Sequence, residues 1–225
     1  MLALIPLEWL VYKGDQIREA LMPDLEERLK SVPPERIQTP APEVAGPLFE
    51  ALRFTAHDND LRRMYANLLG TAIDISTAHT AHPSFVEILK QLSPDEARII
   101  QTLAKINARY YPTVSVRDGY EIEGRPYLTE TVEIFNLFAE SAGCVRADLV
   151  TTYIRNLIRL GLLEPIQGTV SREDLYEQIE SHPTISQARA EIEKQEGHSV
   201  TMQRSCLGVT VLGRQFIDAC ADVKS

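Results

Sequence analysis

His79 and His82 stand three residues apart, a spacing that can put two imidazoles on one helical turn as metal ligands. Pro83 follows at once, and no cysteine or carboxylate is anchored nearby, so the pair reads as the approach to a new helix. His57-Asp58-Asn59-Asp60 alternates acids as a calcium loop does, yet it lacks that motif's glycine and closing glutamate. An aspartate capping a helix start is the simpler account. Cys144 follows Gly143 just ahead of a helix, where the dipole can lower a thiol pKa; beside Val145 it reads instead as buried filler. Together with Cys206 and Cys220 it makes an odd, widely spaced set with no C-x-x-C pair, expected as reduced thiols of a cytoplasmic protein. None of the phosphate-loop, nucleophile-elbow or zincin motifs occurs. No catalytic, metal or cofactor site is expected, and no enzyme activity.

Binding chemistry is offered by a different set. Arg155 and Arg159 share a helical stripe with Thr152, and Arg146 lies at its start, which is how a recognition helix addresses a duplex. Asp148 falls on the same stripe at heptad spacing. Overall, 32 acids outweigh 23 bases for a net charge of −9, and phosphate binding requires clustered cations that release counterions. A protein partner is therefore expected, with nucleic acid disfavoured and a homo-oligomer compatible with the sequence. The apolar opening Leu2 to Tyr12 is broken by Pro6 and Glu8 and is shorter than the roughly 20 residues of a membrane span. It also lacks the basic start and small-residue cleavage site of a secretory signal.

These residues need elements to hold them. Asp15 to Lys30 carries Ile17, Leu21, Leu25 and Leu29 at intervals of four, an amphipathic helix that Pro33-Pro34 stops. Five prolines from Pro33 to Pro47 predict an extended connector, with a short helix from Leu48 to Phe54. Leu61, Met64, Tyr65, Leu68, Leu69, Ala72 and Ile73 form one apolar stripe, capped at its start by Asp58 or Asp60. A short helix Ser84 to Leu92 precedes Ser93-Pro94-Asp95-Glu96, a capping box that starts a helix running to about Asn107.

Past Tyr110 the pattern changes to β-branched alternation with turn chemistry at Asp118-Gly119 and Glu123-Gly124, predicting a strand or hairpin. Helices are expected at Thr129 to Ser141 and Ala147 to Leu160, the second ended by Gly161. Leu162 to Ile166 and Val200 to Thr210 read as paired strands around one charged helix, about Arg172 to Glu196. A last helix, Val211 to Ala221, is expected to bury Val211, Leu212, Phe216 and Ile217, with Gly213 letting it approach the strand. The fold class that follows is mainly α with a small β wing. A helical region, 1–92, precedes a winged-helix-like domain, 93–225, whose wing carries a helical insertion at about 171–196. That insertion holds Glu173, Asp174, Glu177, Glu180, Glu191, Glu193 and Glu196 against Arg172, Arg189 and Lys194, a solvated helix or a partner surface.

Several stretches, in consistent order, carry a family likeness: Leu7-Glu8-Trp9, Ala45-Gly46-Pro47-Leu48, Met64-Tyr65-Ala66-Asn67-Leu68-Leu69, the run from His82 to Ala97, and Gly213 to Cys220. The chain resembles the abortive-infection alpha family of bacterial proteins. That resemblance implies a setting, the defence of bacteria against phage, and no catalytic residues. It also implies that relatives extend ahead of this segment, so that Met1 need not be a domain edge. The expected role is a non-enzymatic interaction or sensor protein in phage defence. The alternative is a winged-helix nucleic-acid-binding regulator using Arg146, Arg155 and Arg159.

Overall fold

A computed structural model describes residues 14–106 and 108–222. The apolar opening and the stretch Leu7-Glu8-Trp9 lie outside the described residues. The chain forms two compact units, Met1–Ile106 with Arg214–Ser225, and Asn107–Gly213.

In the first unit, α1 (Gly14–Leu29) buries Ile17, Leu21 and Leu25, the predicted stripe, and packs on α3 (Asn59–Ile73). Asp58 caps α3, its Oδ1 accepting the Leu61 N–H at 2.9 Å. From there Leu61, Met64, Tyr65, Leu68, Leu69 and Ala72 enter the core, with Leu48 and Leu52 of α2. α2 (Pro42–Thr55) starts earlier than the sequence reading has it. Pro42 takes the first helical position, where no N–H is needed, and Pro47 forfeits only one internal bond, so two of the five prolines belong to the helix. The rest of the connector is not extended throughout: Pro34–Arg36 forms a 3-10 turn, and Ile37 then takes extended backbone in a bridge to Asp74. Gln38 N–H donates to the Ile73 carbonyl and Ile75 N–H to that of Arg36, both at 2.9 Å, while Arg36 Nε bonds Asp74 Oδ1 at 2.9 Å.

α4 (Ser84–Leu89) leads to α5 (Pro94–Ile106), where the capping box forms as expected. Ser93 N–H meets Glu96 Oε2 at 2.6 Å, and Glu96 N–H meets Ser93 Oγ at 3.3 Å. The end of α10 (Val211–Cys220) completes this unit. Phe216 meets Phe85 edge-on with centroids 5.5 Å apart, and Asn67 and Thr71 of α3 donate to the Cys220 and Ala219 carbonyls at 3.2 and 3.0 Å. Val211 and Leu212 are not buried as predicted; Val211 is 78% exposed, because the helix turns its first residues outward.

The second unit is built on a four-stranded antiparallel sheet in the order β2-β1-β4-β3: β1 (Tyr110–Ile122), β2 (Arg125–Phe135), β3 (Leu163–Ile166) and β4 (Ser199–Val209). The hairpin between β1 and β2 turns at Glu123-Gly124, with φ of 53° and 74°, the left-handed pair that two-residue hairpins need. The helix expected from Thr129 to Ser141 is largely a strand. Thr129, Thr131, Val132 and Ile134 are β-branched, β1 offers them a ladder, and only α6 (Phe138–Ser141) remains helical.

After a short 3-10 turn, Ala147–Leu149, α7 (Val150–Arg159) buries Val150, Tyr153, Ile154 and Leu157 and ends at Gly161 with φ 74°, as read. The β3–β4 pairing holds the predicted register region, Leu163 opposite Val209 to Ile166 opposite Cys206. Between them the single charged helix is two, α8 (Glu173–Glu180) and α9 (Pro183–Glu193), because His182-Pro183 breaks it. They fold back on the sheet instead of standing in solvent. Tyr176, Ile179, Ile185, Ala188 and Ile192 are buried, Tyr176 Oη donates to the Ser205 carbonyl at 2.8 Å, and Arg204 bridges Glu173 and Glu180 at 2.7 and 2.5 Å. The described residues are thus mostly helical, with one four-stranded antiparallel sheet in the second unit.

Candidate functional site

The row proposed for nucleic acid starts at Arg146, ahead of the 3-10 turn, and continues along the surface of α7. Arg146, Thr152, Arg155 and Arg159 are all exposed, but the row is not a free positive stripe. Arg146 forks onto Asp148, with Nε and Nη2 at 2.8 and 2.6 Å from the two carboxylate oxygens, and this pairing holds the Asp148 carboxyl below its ordinary range. Arg155 bonds Glu133 of β2 through Nε at 2.9 Å, and Arg159 is turned onto the side-chain oxygen of Asn156 at 2.6 Å. Three cations that a phosphate backbone would need are thus directed to acceptors of the chain itself.

The histidine and acid clusters resolve into local structure. Asp58 caps α3, Asp60 meets Arg98 at 2.7 Å, and His82 Nδ1 accepts the Ser84 N–H at 3.1 Å. Among the described residues no group of three His, Cys, Asp or Glu could hold a metal ion. Cys144 is half-buried, whereas Cys206 and Cys220 are buried, which pushes both thiols up.

The feature the sequence reading missed is a cleft of about 650 Å³ in the second unit, between the end of β2, the segment from α6 to α7, and the start of α9. Its origin is local. The β1–β2 register slips between Val116 and Arg117 and again between Val114 and Val116, so β2 carries extra residues there and bends off the sheet. Ile134 takes φ 48°, a left-handed conformation costly for a β-branched residue, by roughly 1–3 kcal/mol. Two bonds hold it: its N–H donates to Ser115 Oγ at 3.0 Å, and its carbonyl accepts from Asn136 Nδ2 at 2.9 Å. Thr151 of α7 takes the Glu133 carbonyl at 3.0 Å, tying the bent strand to the helix.

Val132, Phe135, Ala139, Ala147 and Val150 make the larger part of the cleft's surface apolar, and Glu130, Glu133, Glu140 and Asp148 supply carboxylates; no lysine or arginine lines it. At its α9 edge His182 packs on Phe135 with ring centroids 4.8 Å apart. Thr184 N–H donates to His182 Nδ1 at 3.2 Å, capping α9, and the other ring nitrogen, Nε2, lies 2.7 Å from Glu140 Oε1. No sequence signal could have found these residues, which are scattered from 130 to 184 in three elements joined only by the fold.

A sequence model of the family described as abortive infection alpha matches residues 13–220 of the chain. The chain belongs to the abortive infection alpha family. Among solved structures, an uncharacterized protein from the hydrocarbon-degrading marine bacterium Alcanivorax borkumensis SK2 is 21% identical, over 63% of this chain and 92% of that one, with a TM-score of 0.38. No curated protein matches the chain at a level that marks kinship. No described helix of this abortive infection alpha protein is long and apolar enough to cross a membrane.

Proposed function

We propose that this abortive infection alpha protein acts in the bacterial cytoplasm as a non-enzymatic interaction or sensor protein of phage defence, and that residues 107–213 serve protein contacts through a winged-helix-like arrangement. The family supplies the setting. The arrangement is supported by strands β1, β4 and β3 lying side by side in that order, with α6 and α7 between β1 and β3 in the chain and α8–α9 inserted in the wing. One observation carries the choice of protein over DNA: Arg146 and Arg155 are already bonded to Asp148 and Glu133. A duplex would have to break those pairs and approach the carboxylates, with a net charge of −9 behind them.

Two measurements test this reading. Gel retardation with duplex DNA at low salt should show no salt-dependent complex; a complex that Arg155→Glu with Arg159→Glu abolishes would overturn the protein-contact role. Expression in a susceptible bacterium should cut phage yield and allow a bound protein to be recovered after challenge. Unchanged yield across a broad phage panel would refute the defence role.

A further inference from the structure

β2 is the outermost strand in the order β2-β1-β4-β3, so one of its edges pairs with β1 and no described strand lies along the other. The hairpin decides which backbone groups that outer edge offers. Ile122 and Arg125 flank the two-residue turn and bond to each other, as does every second pair after them, Tyr120 with Tyr127 and Asp118 with Thr129. Pro126, Leu128 and Glu130 therefore turn their backbone groups outward, a position that suits Pro126, which has no N–H to give. Sheet edges are usually guarded by lysines or bulges, yet β2 contains no lysine and its register slips only past Glu130.

The same stretch is apolar and braced. Leu128 is 54% exposed and Tyr127 44%. Tyr127 ends a row of three stacked rings that crosses the strands, its centroid 5.7 Å from Tyr120, which in turn lies 5.0 Å from His198. His198 Nδ1, 2.8 Å from Asp118 Oδ1, pins the far end of the row. β4 begins at Ser199, opposite Gly119, so beyond that point only two strands remain, and the rings stiffen a hairpin that would be marginal alone.

We propose that β2 pairs with β2 of a second copy of this chain, antiparallel, about a two-fold axis between the two Leu128 residues. In that register the Leu128 residues exchange both backbone bonds, and each Glu130 N–H reaches the Pro126 carbonyl of the other copy. On one face leucine meets leucine and Glu130 lies beside uncharged Pro126. On the other, Tyr127 meets Thr129 and reaches the second Tyr127 on the diagonal. Sliding by two residues sets Leu128 against Glu130 in one direction, and against Pro126 with fewer bonds in the other. The edge thus matches itself without opposing like charges, which selects a second copy over a foreign strand. Pairing is confined to 126–130, because the register of β2 slips past Glu130. Such a contact is smaller than the roughly 800 Å² per partner of a standard interface, so the dimer should be weak, with Kd on the order of 10–100 µM. It stands apart from the defence reading, since it needs no other protein.

Sedimentation velocity of the full chain over a concentration series, at physiological salt, tests it. The wild type should pass reversibly from 25.3 kDa toward twice that mass. Leu128→Lys, which sets two ammonium groups face to face, should weaken dimerisation at least about tenfold with an unchanged melting temperature. Phe54→Lys, at an equally exposed apolar residue of α2, should change it less than about twofold. Leu128→Cys should form a 128–128 disulfide between copies under mild oxidation, because the Cα atoms of such a pair stand about 5.5 Å apart. Glu130→Cys, about 14 Å from its counterpart, should not. A monomer at concentrations up to about tenfold above the expected Kd overturns the proposal. So does a dimer untouched by Leu128→Lys, equal loss with Phe54→Lys, or equal cross-linking at position 130. Two copies that each carry −9 repel, so pairing by backbone and apolar contact should hold or strengthen as salt rises; a dimer that salt dissolves would be charge-driven and would also overturn it.

Discussion

Replacing Gly213 by alanine sets two effects of opposite sign against each other. Alanine is the better helix former, and in the first turn of α10 it should add up to about 1 kcal/mol. The added methyl, however, would stand 2.1 Å from the Leu162 carbonyl oxygen and 2.9 Å from its carbon, both backbone atoms that no rotamer change can move. Ordinary contact begins near 3.4 Å, so the start of the helix and the Leu162 peptide must part by about 1.3 Å. That movement stretches the Thr210 N–H bond to the Leu162 carbonyl at 3.1 Å and the Thr210 Oγ1 bond to the Gly161 carbonyl at 2.6 Å. Overpacking of about 1–3 kcal/mol and two weakened bonds of about 0.5–1.5 kcal/mol each outweigh the propensity gain. Gly213→Ala should therefore lose about 2–4 kcal/mol, a drop in Tm on the order of 5–15 °C for a chain of this size. Circular dichroism melts at 222 nm measure it directly. Two glycines calibrate the result: at Gly46 a methyl meets nothing within 4 Å, so Gly46→Ala should raise Tm, and at Gly70 it meets the Arg28 Cγ at 2.6 Å, which can swing away at little cost. A Gly213→Ala protein that melts at or above the wild-type temperature would refute the close-approach argument.

Other outcomes can be checked separately. Arg36, bonded to Asp74, holds that carboxyl down at about 2, below its ordinary 3.8. A depressed folded-state pKa gives stability that is present above pH 4 and lost as pH falls toward 2, so the gap in urea midpoint between wild type and Asp74→Asn should shrink across that window. Because Arg36 is half-exposed, the gap at neutral pH should be only on the order of 1 kcal/mol. Tyr176→Phe leaves the Ser205 carbonyl without its 2.8 Å donor and should cost about 1–2 kcal/mol in urea unfolding, with near-unchanged secondary structure. Native-state alkylation at pH 8 should label Cys144 well ahead of Cys206 and Cys220, whose thiols burial keeps protonated; equal rates for all three would contradict the packing.

Signals that act within a few residues were legible in the sequence. Ser93 and Glu96 sit three apart because each satisfies the other's N–H, and the Leu61–Ala72 stripe declares its buried face by spacing alone. Gly161 and Gly213 could likewise be read, one as a helix stop and the other as a close approach. The misreadings share a different cause. Thr129 to Phe135 has a composition open to either period, and only β1, lying alongside, makes it a strand. The acidic insertion looks solvated until Arg204, two dozen residues away, reaches Glu180. The cleft was beyond reach for the same reason, since a double slip in strand register leaves no mark on spacing.

The order in which the chain is made gives the end of α10 a further importance. Asn67 and Thr71 project amide and hydroxyl groups from a buried face of α3, and their acceptors, the Cys220 and Ala219 carbonyls, are synthesised about 150 residues later. Until then the first unit lacks Phe216 against Phe85, and those polar groups must stay hydrated. During synthesis at about 5–20 residues per second, that half of the nascent chain spends on the order of ten seconds with an unfinished core open to chaperones and proteases. A ribosome halted anywhere between residues 107 and 213 would leave it so, which makes full-length translation itself a condition for the protein's persistence.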